Sequence, residues 1–90
     1  MERVNKELIP QFTFVKEDVL TTDELIQHRM NELQKAMIYG NTYKGKVSIV
    51  FETIDGPKCV ETTIWHAGEK NIMLKGGVII PIRCIKEIIF

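Results

Sequence analysis

The chain is poor in the residues from which recognisable chemistry is usually built. Its 90 residues include two cysteines, two histidines and one tryptophan. Cys59 and Cys84 have no CxxC spacing, and His28 and His66 have no HxxxH spacing. This excludes metal sites assembled from sequence-local ligand pairs, and a site using all four would need four separated elements to converge. Without a secretion signal, two such cysteines read as buried reduced thiols rather than a disulfide. Neither charge sign is in excess, with twelve basic and twelve acidic residues. That balance counts against a general nucleic-acid binder, which needs a basic surplus. The longest apolar run, Val78 to Ile82, is far shorter than the roughly 20 residues of a membrane helix. The start, Met1-Glu-Arg-Val-Asn-Lys-Glu-Leu8, is too charged for a signal peptide. The expectation is a cytoplasmic protein with no membrane segment, cofactor or metal.

What is present describes an ordinary globular domain. The apolar fraction is 44% and the charged fraction 27%, enough for one small core at this length. Residues 1–43 hold five basic and seven acidic side chains, and residues 44–90 hold seven and five. The second half therefore carries a slight positive excess, compatible with a weak basic patch.

Residues 1–20 read as an N-terminal arm, with Gln11-Phe-Thr-Phe-Val15 a candidate short strand in which Phe12 and Phe14 alternate with other residues. A helix follows, predicted over about 22–39. Thr21-Thr-Asp-Glu24 matches a capping box, and Asp23 and Glu24 suit the positive end of the helix dipole. Ile26, Met30, Leu33 and Met37 lay down one apolar stripe, which Leu25, Ala36 and Ile38 broaden. Gly40-Asn41 supplies a left-handed stop.

From Gly45 to Phe90 the pattern is of short strands. Asp55-Gly56 is a two-residue hairpin signal, which would set Phe51 opposite Val60, Ile49 opposite Thr62 and Val47 opposite Ile64. On the reverse face it sets Val50 opposite Glu61 and Lys46 opposite Trp65. Ile72-Met-Leu74 leads through Lys75-Gly-Gly77 into Val78-Ile-Ile-Pro-Ile82. A three-residue loop there puts Ile72, Leu74, Val78, Ile80 and Ile82 on one face; a two-residue loop shifts the register. Pro81 argues for an edge position, and Arg83-Cys-Ile85 for one tight turn before a last strand, Lys86 to Phe90.

These strands are apolar on both faces. A small barrel fills its interior from one face, so the second needs the helix, the arm or another subunit. The candidate subunit interface is Phe12, Phe14, Val50, Met73, Ile79 and Ile89, and the expected state is a homo-oligomer, with a dimer favoured.

No catalytic set stands out. His28 reads as a helix-surface residue and His66 as a turn-bordering one. Cys84 lies beside Arg83 and Lys86, yet a structural thiol explains it better than a nucleophile. Glu52 and Glu61 read as exposed strand glutamates. Gly76-Gly77 lacks the helix and lysine of a phosphate loop. Trp65 reads most plainly as packed under the helix. Its alternative is an exposed aromatic flanked by Lys46 and Glu61, with Tyr43 and Lys44 extending the surface.

The order of helix, bent hairpin, short strand, one-turn helix and closing strand is similar to that of Sm-like and SH3-like barrels. Gly45-Lys-Val47, Asn71-Ile-Met-Leu74 and Gly77-Val-Ile-Ile-Pro-Ile82, followed by Ile85 and Ile88, carry the likeness over residues 22–90. It also looks like small bacterial proteins of this shape, for which no function comes with the fold. The resemblance implies an α+β fold with the helix packed on a five-stranded antiparallel barrel. Sm-like proteins bind single-stranded RNA through loops that correspond to Glu69-Lys70-Asn71 and Arg83-Cys84. The resemblance gives Asn71 the polar base-contacting role and Arg83 the cationic one. No Asp precedes Asn71 at the usual spacing, and no Arg-Gly pair lies in the last loop. The expected function is a non-enzymatic interaction or adaptor module with a protein partner, and the alternative is an RNA-binding oligomer. The candidate interaction surface is Tyr43, Lys44, Lys46, Trp65, Lys70, Asn71 and Arg83.

Overall fold

A computed structural model describes residues 1–90. Strand β1 (Glu2–Arg3) and a 3-10 turn (Lys6–Gln11) precede helix α1 (Asp23–Tyr43). Strands β2 (Val47–Thr53), β3 (Gly56–Thr62), β4 (Ile64–Ala67), β5 (Asn71–Leu74) and β6 (Ile79–Pro81) follow. A second 3-10 turn (Ile82–Cys84) then leads into β7 (Ile85–Ile89).

The expected five-stranded barrel is not formed. Seven strands make two open sheets, one ordered β1-β3-β2-β7 and the other β4-β5-β6. At buried Thr63 the chain leaves the first sheet and enters the second. The 3-10 turn after β6 returns it to the first, where β7 joins β2. No ladder closes the ring, and side chains of α1 bond to open strand edges instead. Arg29 donates to the Ile85 carbonyl at 3.0 Å. Asn41 donates to the Trp65 carbonyl, and the Ala67 N–H donates to the Met37 sulfur, both at 3.3 Å. Backbone groups that a closed barrel would pair are thus satisfied by the helix.

Thr22, one residue after the Thr21 of the expected capping box, caps α1, its hydroxyl accepting from the Leu25 N–H at 3.2 Å. Leu25 rather than Glu24 therefore stands at the reciprocal position. The buried stripe is Arg29, Leu33, Ala36 and Gly40, flanked by Met30 and Met37. Leu25 and Ile38, expected to broaden it, are exposed. The helix also continues past its expected stop, to Tyr43. Gly40 is needed inside it for a different reason: a Cβ there would sit 2.6 Å from the Ile64 carbonyl oxygen. Helix and β4 touch backbone to backbone at this point.

The β2–β3 hairpin differs from its expected register by two residues. Thr53 pairs with Gly56, so Ile54-Asp55 is the loop, and Ile49 faces Val60 while Val47 faces Thr62. A shift of two preserves which face each side chain takes. Val47, Ile49, Phe51 and Val60 accordingly share the core with Leu33, Ile72, Leu74, Ile80 and Ile85. Each of the larger side chains contributes about 1.5–3 kcal/mol by burial. The reversal after β5 takes the three-residue form, with the Leu74 N–H bonded to the Val78 carbonyl. Gly76 and Gly77 hold φ of +92° and +88° there, which side-chain-bearing residues rarely adopt.

The arm is built into the same core. β1 pairs in parallel with β3, Ile9 is fully buried, and Phe14 bridges to Thr53. Phe12 and Phe14 lie against Phe51 with ring centroids 6.4 and 6.2 Å away. Val50 is only 3% exposed. Val50 therefore lacks the free surface expected of a subunit-interface residue, and Phe12 and Phe14 are partly covered by the chain itself. Met73, Ile79 and Ile89 are exposed. No helix is long and apolar enough to cross a membrane.

Candidate functional site

Strand β4 is irregular in a way that decides where Trp65 points. Ile64 pairs with Leu74 and His66 with Met73, leaving Trp65 as the extra residue of a bulge. Ile64 and Ala67 are buried while Trp65 and His66, the pair between them, are exposed. A bulge re-aims side chains in this manner. Trp65 is 46% exposed, so it is not packed under the helix as its plainest reading had it. Nor is it opposite Lys46 in a ladder, since Lys46 precedes β2 of the first sheet and Trp65 lies in β4 of the second.

Part of the expected neighbourhood nevertheless forms, without Glu61, which pairs with Arg3, and without Tyr43, which lies against Tyr39. Trp65 and Lys46 line one cavity of about 350 Å³ with Gly40, Asn41, Lys44, Thr63 and Lys75. The end of α1 delivers Asn41 and Lys44, the start of β2 delivers Lys46, and the turn after β5 delivers Lys75. Asn41 is tied to the Trp65 carbonyl, and the Lys75 N–H bonds to the Thr63 carbonyl at 2.9 Å. No carboxylate lines this cavity. None of its three lysines lies within ion-pairing distance of one, whereas Arg3, Arg29, Lys58 and Lys86 each do. No lysine lies over the indole; the cation over a ring in this protein is Lys58, above Phe12.

Lys44 is unusual in a second respect. It caps α1 in the left-handed region at φ +55°, where no other non-glycine residue of the chain has positive φ. A lysine there costs backbone energy that glycine would not. Tyr43 beside it is exposed and lies against Tyr39, with centroids 6.1 Å apart.

The remaining members of the expected surface lie elsewhere. Lys70 and Arg83 line a different cavity, of about 400 Å³, with Asp18, Ile26, Arg29, Met30, Glu69 and Ile82. It borders the first half of α1, whereas the Trp65 cavity borders its end. Met30 and Gly40 alone are about 15 Å apart along the helix axis. The Arg83 cavity, unlike the Trp65 one, is lined by carboxylates as well as cations, though Lys70 and Arg83 are not ion-paired. Arg29 pairs with Asp18, Glu69 is present, and the Arg83 Nε donates to the Val15 carbonyl at 2.9 Å. Asn71 is exposed at the start of β5, its carbonyl accepting from the Gly68 N–H. The sequence reading missed Lys75, Asn41 and Thr63, which reach the Trp65 cavity only because the second sheet folds back over the end of the helix.

The other residues considered for chemistry have structural partners. Glu52 meets Lys86 at 3.5 Å, Glu61 meets Arg3 at 3.7 Å, and His28 meets Glu32 at 3.4 Å. Burial pushes the Cys84 thiol up to about 12, against the opposing pull of Arg83. A thiol so disposed is a poor source of thiolate.

No protein-family model, curated protein or solved structure matches this chain.

Proposed function

We propose that the protein is a non-enzymatic interaction module that binds single-stranded RNA on the surface formed by Trp65, Lys44, Lys46 and Lys75. One observation carries this reading: a half-exposed indole shares a cavity with three lysines that no carboxylate neutralises. An unpaired base stacks on such a ring, and the ammonium groups meet the phosphates on either side of it. A duplex hides its base faces and cannot use the indole. Asn41 and Thr63 supply the polar groups that a ribose hydroxyl would meet. The strained Lys44 adds support, because outliers held against backbone preference cluster at functional positions. The zero net charge is no obstacle. Four acidic side chains are engaged by cations elsewhere, at Asp18, Glu2, Glu52 and Glu61, and the lysines keep a local excess.

Trp65 is the sole tryptophan, so its fluorescence reports on the site directly. Titration with an oligouridylate is expected to quench it. Log affinity should fall against log salt with a slope of about −2, as about three lysine–phosphate contacts to a single strand require. Absence of quenching, or equal binding of a duplex, would refute the reading.

Self-association is a second reading, and it is supported by Met73 and Ile79. They pair directly across β5 and β6 and are 36% and 43% exposed. Pro81 offers no N–H to an incoming strand, so two copies would meet face to face rather than edge to edge. A monomer by light scattering at high concentration would remove this reading.

A further inference from the structure

Resting on the reading of Trp65 as a stacking platform, we infer that the site is a track for at least two consecutive phosphates, running from Trp65 past Lys46 and Lys75 to Lys6. The Trp65 cavity does not end at its own lysines. Lys46, Thr63 and Lys75 also line an adjoining cleft of about 230 Å³, whose far side carries Asn5 and Lys6. The Lys6 ammonium lies over the turn after β5: an added Cβ on Gly76 would be 3.6 Å from its Nζ. Gly76 makes no backbone hydrogen bond through its own N–H, so a main-chain donor stands beside that ammonium. Lys6 has no carboxylate within ion-pairing distance, and Glu61, on the same cleft, is engaged by Arg3. Glu7 is the one acidic residue there without an ion-pair partner.

The direction of the track follows from what lies on the other side. Beyond Trp65 the outer face of the second sheet presents Met73 and Ile79 beside the exposed His66, with no lysine or arginine among them. A strand whose base stacks on Trp65, leaving the cavity past Lys46 and Lys75, therefore meets its next lysine at Lys6. A strand laid along both clefts would set one phosphate against Lys46 and Lys75 and the next against Lys6 and the Gly76 N–H.

The test measures Trp65 quenching by the dinucleotide UpU, which has one internal phosphate, and by uridylate oligomers of three to six residues. These are titrated into the unaltered protein, Lys6→Ala and Lys6→Arg. Affinity is expected to rise from UpU to the longer oligomers and then level. Lys6→Ala should leave UpU unchanged, weaken the longer oligomers several-fold and make their salt slope shallower by about 0.7. Lys6→Arg should restore both, which a general loss of structure would not permit. If Lys6→Ala binds the longer oligomers like the unaltered protein while quenching persists, the track is wrong and the Trp65 platform stands. If no oligomer quenches, the platform and the track fall together.

Discussion

Arg29 and Asp18, eleven residues apart, form a two-point ion pair with contacts of 2.9 and 2.7 Å. The guanidinium side is buried and the carboxylate side 32% exposed. Nη1 also reaches the Ile85 carbonyl, so one arginine fastens the arm, the helix and the first residue of β7.

Asp18→Ala should therefore be among the more damaging single changes outside the apolar core. It leaves a buried cation with only a carbonyl for company. The expected loss is about 3 kcal/mol, the lower end for breaking a buried pair, because Asp18 keeps part of its hydration. Urea denaturation would measure it. The Arg29 hydrogen bond holds the Asp18 carboxyl below its ordinary value of 3.8, against a smaller opposing effect of burial. A depressed folded value means the stabilisation is complete above the unfolded value, about 4, and is lost as pH falls from there through the folded one. Asp18→Ala should remove that component of the acid dependence.

Lys44→Gly should stabilise the fold while weakening binding. Relief of the left-handed lysine is expected to contribute about 0.5–1 kcal/mol. Oligouridylate affinity should fall, and its salt slope should become shallower by about 0.7. A stability gain with unchanged binding would remove Lys44 from the site.

Trp65→Ala should fold with nearly the original thermal midpoint, since the indole is half in water. Its affinity for oligouridylate, followed by anisotropy of a labelled strand, should drop by about 1–3 kcal/mol for one lost stacked base.

Gly40→Ala should destabilise, although alanine is the better helix former by about 1 kcal/mol. The new methyl group meets the Ile64 carbonyl oxygen and the Thr63 methyl group at under 3 Å. Overpacking of this kind costs about 1–3 kcal/mol, and thermal unfolding should register a net loss.

Cys84 should resist thiol reagents in the native protein. It is fully buried, its Sγ lies 3.1 Å from the Pro81 carbonyl oxygen, and its titration is displaced upward. Under native conditions a reagent should label only the partly exposed Cys59, with Cys84 following on unfolding.

The helix start to within a residue, the identity of the core strands and a glycine turn after β5, though not its length, were legible because each depends on local chemistry. Thr22, the alternation of Val47, Ile49 and Phe51, and Gly76-Gly77 act through neighbours in the chain. Gly40 misled because a helix stop and a close helix–strand contact both call for glycine, and only tertiary packing distinguishes them. The barrel expectation failed because strand count and turn positions do not say whether the last ladder closes. Burial of Arg29 was illegible because its partner Asp18 lies outside the helix. The bulge did leave a trace: Ile64 and Ala67 are apolar at a spacing of three, which strict alternation forbids. Trp65 and Lys46 were brought together as expected, by a different route, whereas Lys75 joined them through a fold-back that no local pattern announces.

The backbone contact at Gly40 has a consequence for how the surface meets a ligand. With no side chain between them, the end of α1 and strand β4 have no room to slide. Asn41, Lys44 and Trp65 thus keep fixed spacings whether or not anything is bound. Association then need immobilise only lysine side chains and the incoming strand, with no refolding of the protein. Under the proposed reading such a surface would act as a template rather than a clasp, selecting strand conformations that already match it.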